Sequence, residues 1–185
     1  MRARLLVALL AAVLCQGCLV VSLQPVYDPD TIAFEPALVG TWTSDEDHVS
    51  VTLERGEWHS YHLTFDDNGK VTRLSGRLTR VGEALLLDLT PLDGTDIAPL
   101  QLPVHMVFKV ALDGDTLSIA ALDYDHFYDL AHAGHTEVAL VVDGRKNVVV
   151  TAPTSDVRHW LQAHLQDPGL FAAPTTLTRK AVPQG

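Results

Sequence analysis

The sequence predicts a mainly β domain, an antiparallel meander curled into a barrel or half-barrel with two helices. Apolar and polar residues alternate through Val49-Ser50-Val51-Thr52-Leu53 and Tyr61-His62-Leu63-Thr64-Phe65, the period of strands with one buried face. Short turn signals such as Asp66-Asp67-Asn68-Gly69 separate the runs, which makes consecutive strands antiparallel neighbours. About eight or nine strands in one small body leave two open edges unless the sheet closes on itself. The alternative is a two-layer sheet covered by helices.

The first element is an address. Arg2 and Arg4 precede an unbroken apolar run from Leu5 to Leu14. Ten residues fall short of the roughly 20 needed to span a bilayer as a helix, but they suit the core of an export signal. Gly17-Cys18 follows and resembles the bacterial lipobox, whose Cys receives a diacylglyceryl group, carries acyl chains such as palmitate and becomes the first residue. That resemblance divides the chain into a signal peptide over 1–17, a lipidated N-terminus and linker over 18–36, and one β domain over 37–182. Leu19 after the Cys, where Asp would retain a lipoprotein in the inner membrane, implies an outer-membrane protein facing the periplasm. In the linker, Pro25, Pro29 and Pro36 disfavour a helix. It reads as a spacer that becomes ordered near Phe34.

Beyond Val39, strands are expected at Val49–Leu53, Tyr61–Phe65, Val71–Arg80 with Gly76 as a bulge, and Ala84–Leu89. Thr90–Gln101 holds two Pro and a Gly and reads as a loop. Hairpins follow across Asp113-Gly114 and Asp143-Gly144, and Thr175–Lys180 closes the set. Helices are expected near 124–133, ending before Gly134, and near 155–166. In the second, Val157, Trp160, Leu161, His164 and Leu165 share one face, and Thr154 or Ser155 can cap it.

Composition excludes some functions. Two of the 13 basic residues and none of the 23 acids lie in the leader, so the remainder carries 11 against 23, a net charge of −12. A chain this acidic with no basic run is no nucleic-acid binder. The cysteines are Cys15 and Cys18 alone, so the domain is held by its apolar core and not by disulfides.

Two wider resemblances bear on fold and function. Gly40-Thr41-Trp42 on the first predicted strand, with Arg179 near the last, resembles the lipocalin or calycin arrangement. There a Trp near the barrel base packs under a C-terminal basic residue. Ser22 to Tyr27, Pro36-Ala37-Leu38-Val39-Gly40-Thr41-Trp42, Leu102-Pro103-Val104-His105, Leu117 to Leu122 and Val150-Thr151-Ala152 look like a group of bacterial envelope lipoproteins. That resemblance implies the anchor and the domain limits, and it supplies no catalytic residue and no cofactor.

Candidate chemistry is sparse. His132, His135 and Glu137 lie close in sequence and would have to converge to hold zinc, the version in which the chain is a metal-dependent hydrolase. His59 and His62 point to opposite faces of a strand, and His105 reads as a hydrogen-bonded, half-buried side chain. No nucleophile elbow, His-Glu-x-x-His or phosphate loop occurs. The leading expectation is therefore a non-catalytic envelope module, tethered to the membrane through Cys18. It binds a small apolar ligand or an envelope protein, with Trp42, Tyr61, Leu63, Phe65 and Leu87 lining the ligand pocket. The alternative is a structural or interaction lipoprotein with a closed core.

Overall fold

The computed structural model describes residues 19–44, 49–92, 102–134 and 137–181. The proposed anchor Cys18 and the histidine His135 lie outside them.

The strands are β1 (Val20–Ser22), β2 (Ile32–Ala33), β3 (Gly40–Ser44), β4 (Val49–Arg55), β5 (Ser60–Asp67), β6 (Lys70–Val81), β7 (Ala84–Pro91), β8 (Met106–Asp113), β9 (Thr116–Ala121), β10 (Leu140–Val142), β11 (Val148–Val150) and β12 (Thr175–Arg179). The helices are α1 (Tyr124–Ala133) and α2 (Thr154–His164). Strands β3 to β9 form a meander, β12 pairs with β9 on one side and β3 on the other, and β6 pairs with β7. The ring has eight strands and is closed, a lipocalin-like barrel that leaves itself no free edge. The meander follows from its turns. Asn68 and Gly69, both at positive φ, make a two-residue connection between β5 and β6. Gly82 and Gly114 take positive φ in the next two hairpins.

Alternation along the strands sorts side chains into two cores. Trp42, Val51, Leu53, Tyr61, Leu63, Phe65, Leu87 and Leu177 fill the barrel. Val81, Ala84, Leu86 and Val107 point outward from the wall instead. They pack with Phe127 of α1 and Val157, Trp160 and Leu161 of α2 in a second core. Gly76 is no bulge. It stays in register between Tyr61 and Leu89, and a Cβ there would come within 2.9 Å of Leu89 and 3.2 Å of Leu87. The position is bare because two leucines occupy its space.

Two further differences from the sequence reading matter. The hairpin β10–β11 does not join the barrel. It forms a separate three-stranded sheet in the order β1-β11-β10, with β1 parallel to β11. The second difference is the segment 18–36, expected as a spacer that packs on the domain only in part and becomes ordered near Phe34. From Leu19 onward it is a strap on the domain. Val20, Val21 and Val26 are buried, Ser22 and His105 exchange backbone hydrogen bonds of 2.8 Å, and β2 adds to β6 at Ile32–Thr79. The apolar residues between the prolines find barrel and helix surface to cover, which offsets the entropy of holding the strap in place.

Candidate functional site

The barrel interior is built from the residues expected to line a ligand pocket, and they are packed against one another. Trp42 and Tyr61 are 0% exposed, Leu87 2%, Leu63 4% and Phe65 7%. Their polar atoms are satisfied within the chain. Trp42 Nε1 donates to Leu38 O at 2.9 Å. Tyr61 Oη accepts from Glu35 N at 2.7 Å and lies 3.2 Å from Glu35 O. Burial pushes the Tyr61 phenol up from its ordinary pKa. Phe34 stacks on Tyr61 at 5.0 Å between ring centroids.

One end of the barrel is sealed around Trp42. The turn Pro36–Leu38 carries buried Leu38 into the interior. The Arg179 guanidinium lies 4.1 Å from the centroid of the Trp42 ring. It also donates to Val39 O at 3.0 Å and Ala37 O at 2.5 Å, and pairs with Asp115 at 3.0 Å. This is the arrangement that Gly40-Thr41-Trp42 and Arg179 suggest. Gly40 is required by it, because a Cβ there would stand 2.6 Å from Arg179 Nη1.

Outside the barrel wall lies a buried Asp–His hydrogen bond that the sequence announces only as a lone acid in the apolar run Ala84–Leu89. Leu87 and Leu89 face the interior, so Asp88 faces out. Its Oδ1 sits 2.7 Å from His105 Nδ1, with the ring N–H donating, and its Oδ2 accepts from Val26 N at 2.7 Å. The His105 side chain is 10% exposed and that of Asp88 0%, so His105 is hydrogen-bonded as expected and more deeply buried. A cavity of about 10 Å³ opens beside His105 and Ser22 and runs among Phe127, Trp160 and Leu161. It has room for about one water. Ser22 Oγ is turned away, donating to Gln24 O at 2.6 Å. Asp88, His105 Nδ1 and Ser22 Oγ all make bonds that hold the strap. Arg158 of α2 works in the same way, donating to Val26 O at 2.7 Å and Arg80 O at 3.0 Å. Thr154, expected as a helix cap, donates instead to Pro25 O at 2.8 Å.

The histidine set at the end of α1 is dispersed in its described members. His132 Nδ1 bonds to Tyr128 O at 2.9 Å, while Glu137 lies 3.3 Å from His164 Nε2. Among the described residues, no three His, Cys, Asp or Glu side chains come together where a metal ion could be held. His164 Nδ1 meets Asp167 at 2.6 Å. That hydrogen bond, helped by Glu137, raises the His164 pKa above its ordinary value.

Sequence reasoning missed the hairpin between β4 and β5. Ser60 N donates to Glu57 O at 3.0 Å, and the two residues between, Trp58 and His59, take φ of 53° and 60°. Positive φ at both central positions defines a type I′ turn, normally built from Asn-Gly. His59 stacks on Phe34 at 6.1 Å. Trp58 is 86% exposed. No helix of the described residues is long and apolar enough to cross a membrane. No protein-family model, curated protein or solved structure matches the chain.

Proposed function

We propose that the chain is a lipoprotein of the bacterial envelope, fixed to the membrane by a diacylglyceryl group on Cys18 and facing the periplasm of the outer membrane, whose barrel engages another envelope protein. A protein partner is favoured over a small apolar ligand. One observation carries that preference: the five residues that would line a ligand pocket are buried in a common core, with the Trp42 and Tyr61 polar atoms bonded inside the chain. A pocket that accepts a drug-sized ligand needs several hundred Å³ of open, mainly apolar space. No catalytic residue is assigned, because Asp88, His105 and Ser22 serve the strap.

The exposed Trp58 supports the same reading. Two consecutive residues other than glycine in the left-handed region cost about 1–2 kcal/mol each. Such strain persists at sites where it serves a purpose, and an exposed Trp is a strong anchor for a protein interface. The test uses the chain purified from native membranes. Intact mass should show an acylated Cys18 as the first residue, and organic extraction should release no stoichiometric lipophile beyond that anchor. A photo-crosslinking residue at position 58 should capture one defined envelope protein, and the same probe at Gly69 should not. A non-covalent lipophile at one per chain would overturn the choice of partner, and an unmodified Cys18 would overturn the anchor.

A further inference from the structure

The turn that carries Trp58 is not built to stand by itself. Its own hairpin supplies three bonds: Ser60 N to Glu57 O at 3.0 Å, Ser60 Oγ to the same carbonyl at 2.6 Å, and Gly56 N to Ser60 O at 2.8 Å. None of them removes the cost of two side-chain-bearing residues in the left-handed region, at φ of 53° and 60°. The Asn68-Gly69 turn at the other barrel end needs no help, because both of its residues enter that region readily. Contacts from outside the β4–β5 hairpin therefore bear on the Trp58 turn, and two of them lead to the strap. The His59 ring stacks on Phe34 with centroids 6.1 Å apart. Trp58 O accepts from Arg77 Nη1 at 3.4 Å, and the Arg77 guanidinium lies over the Tyr27 ring, 5.5 Å from its centroid.

Phe34 and Tyr27 are themselves fixed by the domain. Phe34 lies 5.0 Å from the Tyr61 ring and carries the Arg55 guanidinium 4.8 Å over its face. The backbone of Glu35 beside it is bonded to Tyr61 Oη, and Ile32 and Ala33 before it pair with β6. Tyr27 meets the His105 ring edge-on at 6.4 Å. Its neighbours Val26 and Asp28 are held by Asp88 and Arg158. The strap thus runs from α2, where Arg158 grips it, to the turn that carries Trp58. We propose that the docked strap holds this turn in its left-handed form, so that the partner surface at Trp58 is complete only while the strap is in place. The inference rests on the reading of Trp58 as a partner anchor and adds regulation to that site. Loosening the strap weakens the partner's grip, and by reciprocity a bound partner tightens the strap. Phe34, Tyr27 and Arg77 are positioning residues, acting through the backbone of Trp58 and His59.

Hydrogen exchange on the full chain tests the coupling without a partner. Phe34→Leu keeps apolar bulk and removes the stack, while Arg158→Ala loosens the strap from α2. Each should accelerate exchange at Gly56 N and Ser60 N about fivefold or more. Gly69 N, bonded to Asp66 in the other turn, should keep the parent rate. Phe34→Tyr retains the ring and should exchange like the parent. His59→Gly supplies the residue that a type I′ turn prefers at its second central position, and in that background Arg158→Ala should no longer reach the turn. In native membranes, photo-crosslinking from position 58 should fall about fivefold with Phe34→Leu and hold with Phe34→Tyr. Turn amides at the parent rate in both Phe34→Leu and Arg158→Ala would overturn the proposal. So would an effect of Arg158→Ala that survives His59→Gly, or undiminished capture by a loosened turn. No capture by the parent chain would instead sink the anchor reading, while the exchange rates still decide whether strap and turn are coupled.

Discussion

At the scale of single residues, Asp88 decides whether the N-terminal segment belongs to the domain. One carboxylate holds His105 and the Val26 amide while fully buried. Removing one member of a buried pair leaves the other uncompensated, so Asp88→Ala should lower stability by about 3 kcal/mol in urea unfolding. Hydrogen exchange at Ser22 and Val26 should accelerate first. Trp58 should respond in the opposite sense. Asn accepts the left-handed region more readily than Trp, so Trp58→Asn should raise stability by about 1 kcal/mol while weakening capture of the partner. Trp42 and Arg179 were legible in the sequence, since a Gly-x-Trp and a distant basic residue carry a recognisable packing problem. Asp88 was visible as an acid out of place, but its partners stand 17 and 62 positions away in the chain, and no local pattern links them. The type I′ turn at Trp58 was illegible because its residues are the wrong ones for that turn.

At the scale of elements, local signals served well where the element is local. The first helix runs from Tyr124 to Ala133 with Asp123 capping His126 N and Gly134 in the left-handed region, as the spacing and the glycine foretold. The meander strands and their hairpins were equally legible. The pairing of β1 with β11 was not, because a three-residue strand bonded to residues over a hundred positions on leaves no periodic trace. The end of α2 carries a pH-sensitive contact. His164 is raised mainly by its hydrogen bond to Asp167. A raised histidine contributes stability that is fully present below its unfolded value near 6.5 and disappears as pH rises through the folded value. His164→Gln should therefore flatten the difference in denaturation midpoint between acid and mildly alkaline solution. NMR titration of the wild type should place the imidazole above its reference.

At the scale of the whole molecule, closure depends on the last strand. Thr178 and Arg179 of β12 meet Thr43 and Trp42 of β3, so the barrel cannot shut until the chain is nearly complete. Contacts this distant in sequence make for slow folding, on the order of milliseconds to seconds. A chain ending at Pro174 would expose the edges of β3 and β9, and should aggregate in a light-scattering assay where the full chain stays clear. The sequence could forecast a closed ring because an open one would be unstable, and it could not forecast the second core, whose lining alternates with the first along β7 and β8. The strap has a mechanical corollary. Leu19 is already bonded to Val148, Ser22 to His105 and Leu23 to Val150, so a tug at Leu19 meets the strap's bonds at once. Force entering at residue 19 along β1 loads these bonds together, then the Asp88 clasp, before any barrel strand yields. A pull applied at Leu19 is thus carried straight into the body of the domain.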